Sequence, residues 1–552
     1  MSLKGLCLPP KILPLKDQWN WRSIFDTLEH HWPSIRKWLE FFAAYLELVP
    51  DPLNHLPAIR PIVLQTTCDF LATIIPKDIT FRTCIELSGY RALSVAGRLW
   101  ALESTRRTPH QPFGPNTDYK SLVFVATAFL ENLLCVTGQF PNPDWEGAVF
   151  IPLGRRPDDV AKILLANIAL SFSSGSKYFP NLLPDIDVLT PFVLAPPMSE
   201  PLRSHDSLRV ILDILRSLTK AKVTAMPDTM GVAYCISACC RFLSQWLNIN
   251  GCGDILFALE NELLLLIARS DKWLSVLPDY TSGWQTPYEN PYRMLLGQVI
   301  PKHMIYRSVL HLVDKCLADK GLRRLEQSLT PKGYIREAWG KLKDIVRERM
   351  DIDALSRNNH GESLWGMHCA NLECMKAYTA RDLKRCDKCL QTFFCSDECL
   401  QYEWQNGLHR GTCKSIAKHL RSGAYVRLST HDHDYINLVA RPELSALAAD
   451  IALFMQQTGT NIPCVVLDYT EFPVKTKIGT VITSRPDEYR EAPTLRAQWD
   501  YMVREVERAP LAGTDVRAVT RIIIPERRGV RSLITSIPFK WDSGVKTSTT
   551  RT

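Results

Sequence analysis

Residues 369–413 read CANLECMKAYTARDLKRCDKCLQTFFCSDECLQYEWQNGLHRGTC, and their ligand-type side chains decide how this chain folds locally. The order is Cys369-x4-Cys374, eleven residues, Cys386-x2-Cys389, five residues, Cys395-x3-Cys399, nine residues, His409-x3-Cys413. Seven of the seventeen cysteines fall in this window; the other ten are scattered. Eight soft donors so close together suit two closed tetrahedral zinc sites, because structural zinc takes four thiolate or imidazole ligands. A segment this short buries too little apolar surface to fold alone. Metal would have to supply the folding energy, about 10–16 kcal/mol per structural site in model peptides.

Flanking chemistry agrees with the spacing. Ser396 is a favourable N-cap, with Asp397 and Glu398 in the first turn where the helix dipole favours acids. Cys395 and Cys399 then lie about one turn apart. Leu400 and Trp404 pair at i, i+4 on the same short helix. Asn406-Gly407 supplies the stop that releases His409 and Cys413.

Six cysteines, a histidine and a final cysteine, with Phe394-Cys395-Ser396 and Trp404…His409-Arg410…Cys413, resemble the MYND zinc finger. A RING places histidine mid-series and a PHD finger places it fifth; here it is seventh. The resemblance implies interleaved pairing: Cys369, Cys374, Cys395 and Cys399 on one zinc, and Cys386, Cys389, His409 and Cys413 on the other. It also implies docking of short proline-containing protein segments beside Trp404, with Leu400 and Gln401 as neighbours. This chain departs from the family pattern at Phe394, Leu400 and Glu403, where Tyr, Gln and Asp are common. The Cys399–His409 gap is also about two residues long for the family. The wider layout resembles basidiomycete MYND-domain proteins, as do His433-Asp434-Tyr435 and Leu467-Asp468-Tyr469-Thr470.

Working outward, residues 1–350 read as an all-helical region, with an armadillo-like stack as one arrangement, although no repeat of fixed period is present. Helical patterns cover Ser121–Gln139, Asp158–Ser174, Asp206–Lys222, Val232–Ile249, Asp254–Trp273 and Tyr334–Met350. Asp158, Asp206 and Asp254 are expected caps. Pro180–Asp187 and Pro191–Pro201 are expected connectors that break helix. Residues 351–366 read as a linker and 420–542 as a small α+β domain. Within that domain, Leu444–Gln456 reads as a helix, and Pro463–Tyr469 and Lys475–Ser484 as strands. Leu495, Trp499, Met502, Val503 and Val506 share one helical face. Arg521–Pro525 and Val530–Pro538 read as a hairpin with a solvated tip, and residues 543–552 as a disordered tail. The expected fold class is therefore mainly α, with the two-zinc finger and a small α+β part.

Composition limits function. A 46% apolar and 22% charged chain with net charge +8 is an ordinary globular protein. Between Cys369 and Cys413 six basic residues meet six acids, so nucleic acid is not the expected partner and a DNA-binding regulator ranks last. No signal peptide, membrane span or Asn-x-Ser/Thr acceptor is found, and clustered thiols suit a reducing compartment, so an intracellular location is expected, nucleus or cytoplasm left open. An enzyme is the second reading, because MYND fingers accompany SET methyltransferases. Yet Asn359-His360 is followed by Gly361-Glu362, not the cofactor motif, and Ser173–Lys177 lacks the phosphate-loop pattern. Cys235, Cys239 and Cys240 read as small core residues, His431–Asp434 as a polar helix start, and His368 as a surface residue.

Overall fold

The computed structural model describes residues 156–540 apart from 174–178, 223–225, 275, 278–289, 332, 359–366, 372, 375–376, 379–382, 408, 424, 486–492 and 509–514, together with positions 30, 34, 37, 100 and 150. The expected helix Ser121–Gln139 and the tail 543–552 lie outside the described residues. The described chain is mainly helical, with a four-stranded sheet near its C-terminal end and two short two-stranded pairs in the cysteine-rich segment. It divides into two compact units, residues 1–245 with 273–280, and residues 246–272 with 281–552. Among the described residues no helix is long and apolar enough to cross a membrane.

The first unit contains α1 (Pro157–Ser173), α2 (Phe179–Leu194), α3 (Ser199–Ser204), α4 (Ser207–Thr219) and most of α5 (Met226–Asn250). Helix α1 opens with proline and two acids, Asp158 and Asp159, in its first turn. Helix α2 corrects the expected break, since Pro184 and Pro191 both lie inside it. An interior proline costs about 3 kcal/mol. The same helix buries Ile186, Val188, Leu189, Phe192 and Val193 completely, and each such burial returns about 1.5–3 kcal/mol, so packing prevails. Asp206 is not a working cap: it sits at φ 56 before α4 and its side chain accepts no capping bond. Cys235, Cys239 and Cys240 are fully buried on α5, as small core side chains would be.

In the second unit, the helix expected over Asp254–Trp273 is two helices, α6 (Cys252–Glu260) and α7 (Leu263–Leu274), broken where Glu262 adopts φ 69. Asp254 lies within α6 and accepts a hydrogen bond from Trp246 Nε1 at 2.6 Å, so a buried tertiary partner claims the expected cap. There follow α8 (Pro291–Met294), α9 (Ile300–His303), α10 (Arg307–Leu317), α11 (Lys320–Ser328) and α12 (Tyr334–Asn358). Helix α12 runs on through much of the stretch read as a linker. The reason is Asp353, fully buried, which takes Arg307 Nε at 2.6 Å and His311 Nε2 at 3.1 Å from α10.

Beyond the cysteine-rich segment come α15 (Thr430–Ala446), α16 (Ala448–Thr458), and the strands β5 (Pro463–Asp468), β6 (Lys475–Thr480), β7 (Asp515–Glu526) and β8 (Gly529–Lys540). Helix α15 starts in a capping box: Ser429 is the N-cap and accepts from Asp432 N, while Asp432 accepts from Ser429 N at 2.6 Å, so the stretch 431–434 is the polar helix start expected. The helix expected over Leu444–Gln456 divides at Leu447 into the end of α15 and all of α16. The sheet order is β6-β5-β7-β8, with β5 and β7 parallel and the other pairs antiparallel. Such a parallel pair needs a crossover, and α17 (Pro493–Arg508) provides it, burying Trp499 and Val506 against Cys464 and Val519.

This sheet is no separate body. Tyr435 donates to Met304 O at 2.9 Å and Tyr306 to Pro525 O at 2.5 Å, so helices of residues 300–317 and the C-terminal strands share one interior. The tip of the β7–β8 hairpin is docked, correcting the solvated tip: Arg528 N donates to Ile249 O at 2.8 Å, and Arg527 Nη1 to Ser422 O at 2.8 Å. Gly251 makes the seat. Its φ is +80°, and a Cβ there would lie 3.0 Å from Arg527 N and 3.2 Å from Arg527 Cα, both fixed backbone. Gly251→Ala is expected to destabilise the protein by about 1–3 kcal/mol through combined strain and overlap, read as a lowered denaturation midpoint. Gly253→Ala, where a Cβ meets nothing within 4 Å, serves as the near-neutral control.

Candidate metal centre

Four short strands frame the segment: β1 (Met367–His368) pairs with β2 (Ala377–Tyr378), and β3 (Lys384–Arg385) with β4 (Phe393–Phe394). Between β3 and β4 the chain makes a tight turn. Leu390 N donates to Cys386 O at 2.8 Å and Cys386 N to Thr392 O at 2.9 Å, while Leu390 takes φ 53. This turn aims Cys386 and Cys389 to the same side. After β4, Ser396 caps α13 (Asp397–Gln405) as expected, accepting from Cys399 N at 3.3 Å. Asn406 closes α13, and α14 (His409–Arg421) places His409 and Cys413 on its inner face, both buried.

The eight side chains gather into two groups of four, Cys369 with Cys374, Cys395 and Cys399, and Cys386 with Cys389, His409 and Cys413. Within each group all ligand atoms lie within 4.8 Å of one another. Individual Sγ–Sγ separations are 3.7 Å for Cys374–Cys395, 3.5 Å for Cys395–Cys399 and 3.8 Å for Cys386–Cys413. Four sulfurs placed tetrahedrally around an ion at 2.3 Å would stand about 3.8 Å apart. The residues fit a metal ion in each group. His409 adds a second sign: its Nε2 is buried and finds no hydrogen-bond partner outside its own ligand group among the described residues, a state an electron pair donated to a cation would resolve.

The interior of the segment consists largely of the ligands themselves. Its buried cluster is Cys369, Cys386, Cys389, Phe394 and Cys413, with Leu400, Trp404 and Ile416 packed at its margin. Phe394 meets the His409 ring edge-on at 5.1 Å and Trp404 does so at 5.9 Å, so two aromatic walls set the imidazole's orientation.

Electrostatics differ between thiols. Burial pushes Cys369 and Cys413 up to about 12, and it pushes Cys399 up as well. Burial acts on Cys389 in the same direction, but His409, the Thr392 hydroxyl and the backbone N–H groups of Gln391 and Thr392 outweigh it and bring the thiol down to about 6. Cys395 N donates to Cys369 Sγ at 3.4 Å. Such donors spread thiolate charge, as outer-shell groups do around metal ligands. Asn371 contributes in the same way: its side chain accepts from Glu373 N at 2.9 Å and hydrogen-bonds Cys399, favouring the thiolate.

Of the residues expected to dock peptide, Gln401 is exposed, while Leu400 and Trp404 are half-buried at the margin of the cluster. Lys388 Nζ stands 4.4 Å over the indole. Trp404 therefore supports the ligand His409 as well as presenting a surface. The side chain of His368 lies outside the described residues.

Sequence reading missed how the segment is anchored. Gln391, in the ligand turn, donates to Val426 O at 3.3 Å and accepts from Arg531 Nη1 at 3.3 Å. Arg531 also donates to Val426 O at 2.7 Å, lies 4.8 Å over Tyr425 and pairs with buried Glu526 at 2.5 Å. Glu526 in turn accepts from Val426 N at 3.0 Å. No local motif marks these partners; Val426 and Glu526 lie 100 residues apart in sequence.

No family model matches the chain, and no curated protein or solved structure matches it either.

Two outcomes follow from the geometry. The double variant Cys369→Ser/Cys395→Ser should retain one of two metal ions, whereas Cys369→Ser/Cys389→Ser should lose both, by metal analysis of the full chain; pairing in sequence order would reverse the two results. Burial raises Glu526 to about 7, against the weaker opposing pull of Arg531, Val426 N–H and Tyr306. A carboxyl held above its ordinary value binds its proton more tightly in the folded state, so its contribution to stability is greatest below about pH 4.5 and declines as pH rises toward 7. The stability of wild type relative to Glu526→Gln, measured by denaturant unfolding at matched pH, should fall by roughly 2–3 kcal/mol between pH 4.5 and 8.

Proposed function

We propose that residues 369–413 form a two-zinc finger of the MYND type and that the protein uses it to dock another protein on a helical scaffold. The observation carrying this reading is the interleaved grouping of eight donors into one cluster of four cysteines and one of three cysteines and a histidine. Thiolate-rich tetrahedral sites select zinc among common divalent ions, and four protein ligands leave no open position for substrate or water. Such closed sites serve structure and recognition, not hydrolysis. The helical region, read as an armadillo-like stack, supplies the second part of the scaffold.

The docking face is assigned to Trp404, Leu400 and Gln401, with short proline-containing segments as the partner. Tryptophan at the edge of a rigid cluster is the type of side chain that dominates interface energetics. Lys388 covers one face of the indole, so a bound proline would displace that ammonium or stack on the opposite face. Because Trp404 also walls His409, the informative variant is one that keeps an aromatic edge. Trp404→Phe, checked for two zinc ions per chain, should bind members of a proline-containing peptide array about tenfold more weakly than wild type. Gln401→Ala should have a smaller effect. Equal binding by a fully zinc-loaded Trp404→Phe protein, or no binding by wild type to any peptide, would overturn the docking assignment. Absence of zinc from the purified protein would overturn the finger itself.

A further inference from the structure

Helix α14 has a second face that the metal ligands do not use. Arg410, Lys414, Lys418 and Arg421 are all exposed on it. Steps of four, four and three residues keep the four within an arc of about 80°, in a row about 16 Å long with neighbours roughly 6 Å apart along the axis. The helix sequence HRGTCKSIAKHLR contains no acid. Among the described residues none of the four cations enters an ion pair, and Arg421 donates only to Ala417 O of its own helix. The six-against-six charge balance of residues 369–413 stops short of this row, because three of its four members lie beyond or beside the last ligand.

Helix stability does not account for the row. Lys418 and Arg421 in the last turn complement the dipole. Arg410 lies in the first turn, where positive charge is disfavoured, and like charges at i, i+4 repel by about 0.2–0.5 kcal/mol per pair. The array is mildly costly to the helix that bears it.

We infer that this face of α14 is a docking site for an acidic protein segment bound in extended form. Alternate side chains of an extended chain recur every 6.6–6.8 Å or so, close to the spacing of the cations. Gly411, Ser415 and Ser422, all exposed and small, flank the row and leave room for a backbone to lie beside it. Nucleic acid fits less well. Tyr425 is stacked on His419 at 4.8 Å and covered by Arg531, so it offers no platform for bases. A duplex also carries one charge per ~1.7 Å, a density that a single row of four cations does not match. This surface is separate from Trp404 and stands whether or not proline peptides bind there.

The test uses the full-length, metal-loaded protein and a fluorescent peptide of four glutamates alternating with serine, beside its glutamine counterpart and a 20-base-pair DNA duplex. Fluorescence anisotropy should show the glutamate peptide binding at least tenfold more tightly than the glutamine peptide, with affinity falling as salt rises. Arg410→Gln/Lys414→Gln and Lys418→Gln/Arg421→Gln should each weaken binding about five- to tenfold with metal content and unfolding midpoint preserved, while Lys477→Gln, which removes an exposed cation from β6, leaves it unchanged. Two separate pairs keep the result decisive if one destabilises the helix. No binding of the glutamate peptide, equal binding of both peptides, or unimpaired variants would overturn the proposal. Tighter binding of the duplex through the same cations would replace it with a nucleic-acid site.

Discussion

Among its described residues the segment 369–413 has little core besides its own ligands, and that constraint governs the features around it. One phenylalanine and four cysteines make up its buried cluster, too little hydrocarbon to offset the conformational entropy of ordering the chain. The surrounding features follow from the need to hold eight donors in place. The turn at Leu390 aims Cys386 and Cys389, Ser396 fixes the start of α13 so that Cys399 follows Cys395 by one turn, and α14 carries His409 and Cys413 on one face. Phe394 and Trp404 hold the imidazole from two sides. Under the zinc reading, the metal supplies the binding energy and the protein supplies orientation.

The cysteine-rich segment is tied to the rest of its unit through polar contacts, not through an apolar interface alone. Gln391 sits in the ligand turn and its side chain reaches Val426 and Arg531; Arg531 reaches Glu526; Tyr306 closes the chain of contacts at Pro525. Phe393, from the strand between the ligand pairs, meets His433 of α15 edge-on at 6.2 Å. Burying Glu526 beside Arg531 is costly unless every lone pair is engaged, and breaking one partner of such a pair is worse than never having had it. Loss of order in the ligand turn would therefore be felt at the hairpin tip, where Gly251 admits Arg527. This arrangement makes the cysteine-rich segment a structural part of the C-terminal unit as well as a candidate docking module.

What could be read from sequence was what a few neighbouring residues encode. Ligand spacing, the Ser396 cap, the helical face of Trp499 and Val506, and the β7–β8 hairpin all rest on local patterns, and the structure places them accordingly. Several of the departures share one cause, a distant partner that overrides a local preference. Prolines 184 and 191 sit inside α2 because its apolar side chains are fully buried. Asp254 leaves its capping role for Trp246, and Asp353 draws the presumed linker into α12 by pairing with Arg307. The hairpin tip looked solvated because its basic residues have no acid beside them except Glu526, whose own partners come from the loop after α14. Helix α14 extends past the last ligand, so a charge balance taken only to Cys413 passes over its basic row.

Hydrogen exchange on the full-length protein, with and without a strong chelator, reads the dependence of the segment and its anchor on metal. Metal removal should strip protection from residues 383–413 and, in the same protein, from Val426 and the β7–β8 tip, while α4 and α5 remain protected. Unchanged exchange in the ligand turn after verified metal removal, or loss confined to the finger with the hairpin tip unaffected, would contradict that dependence.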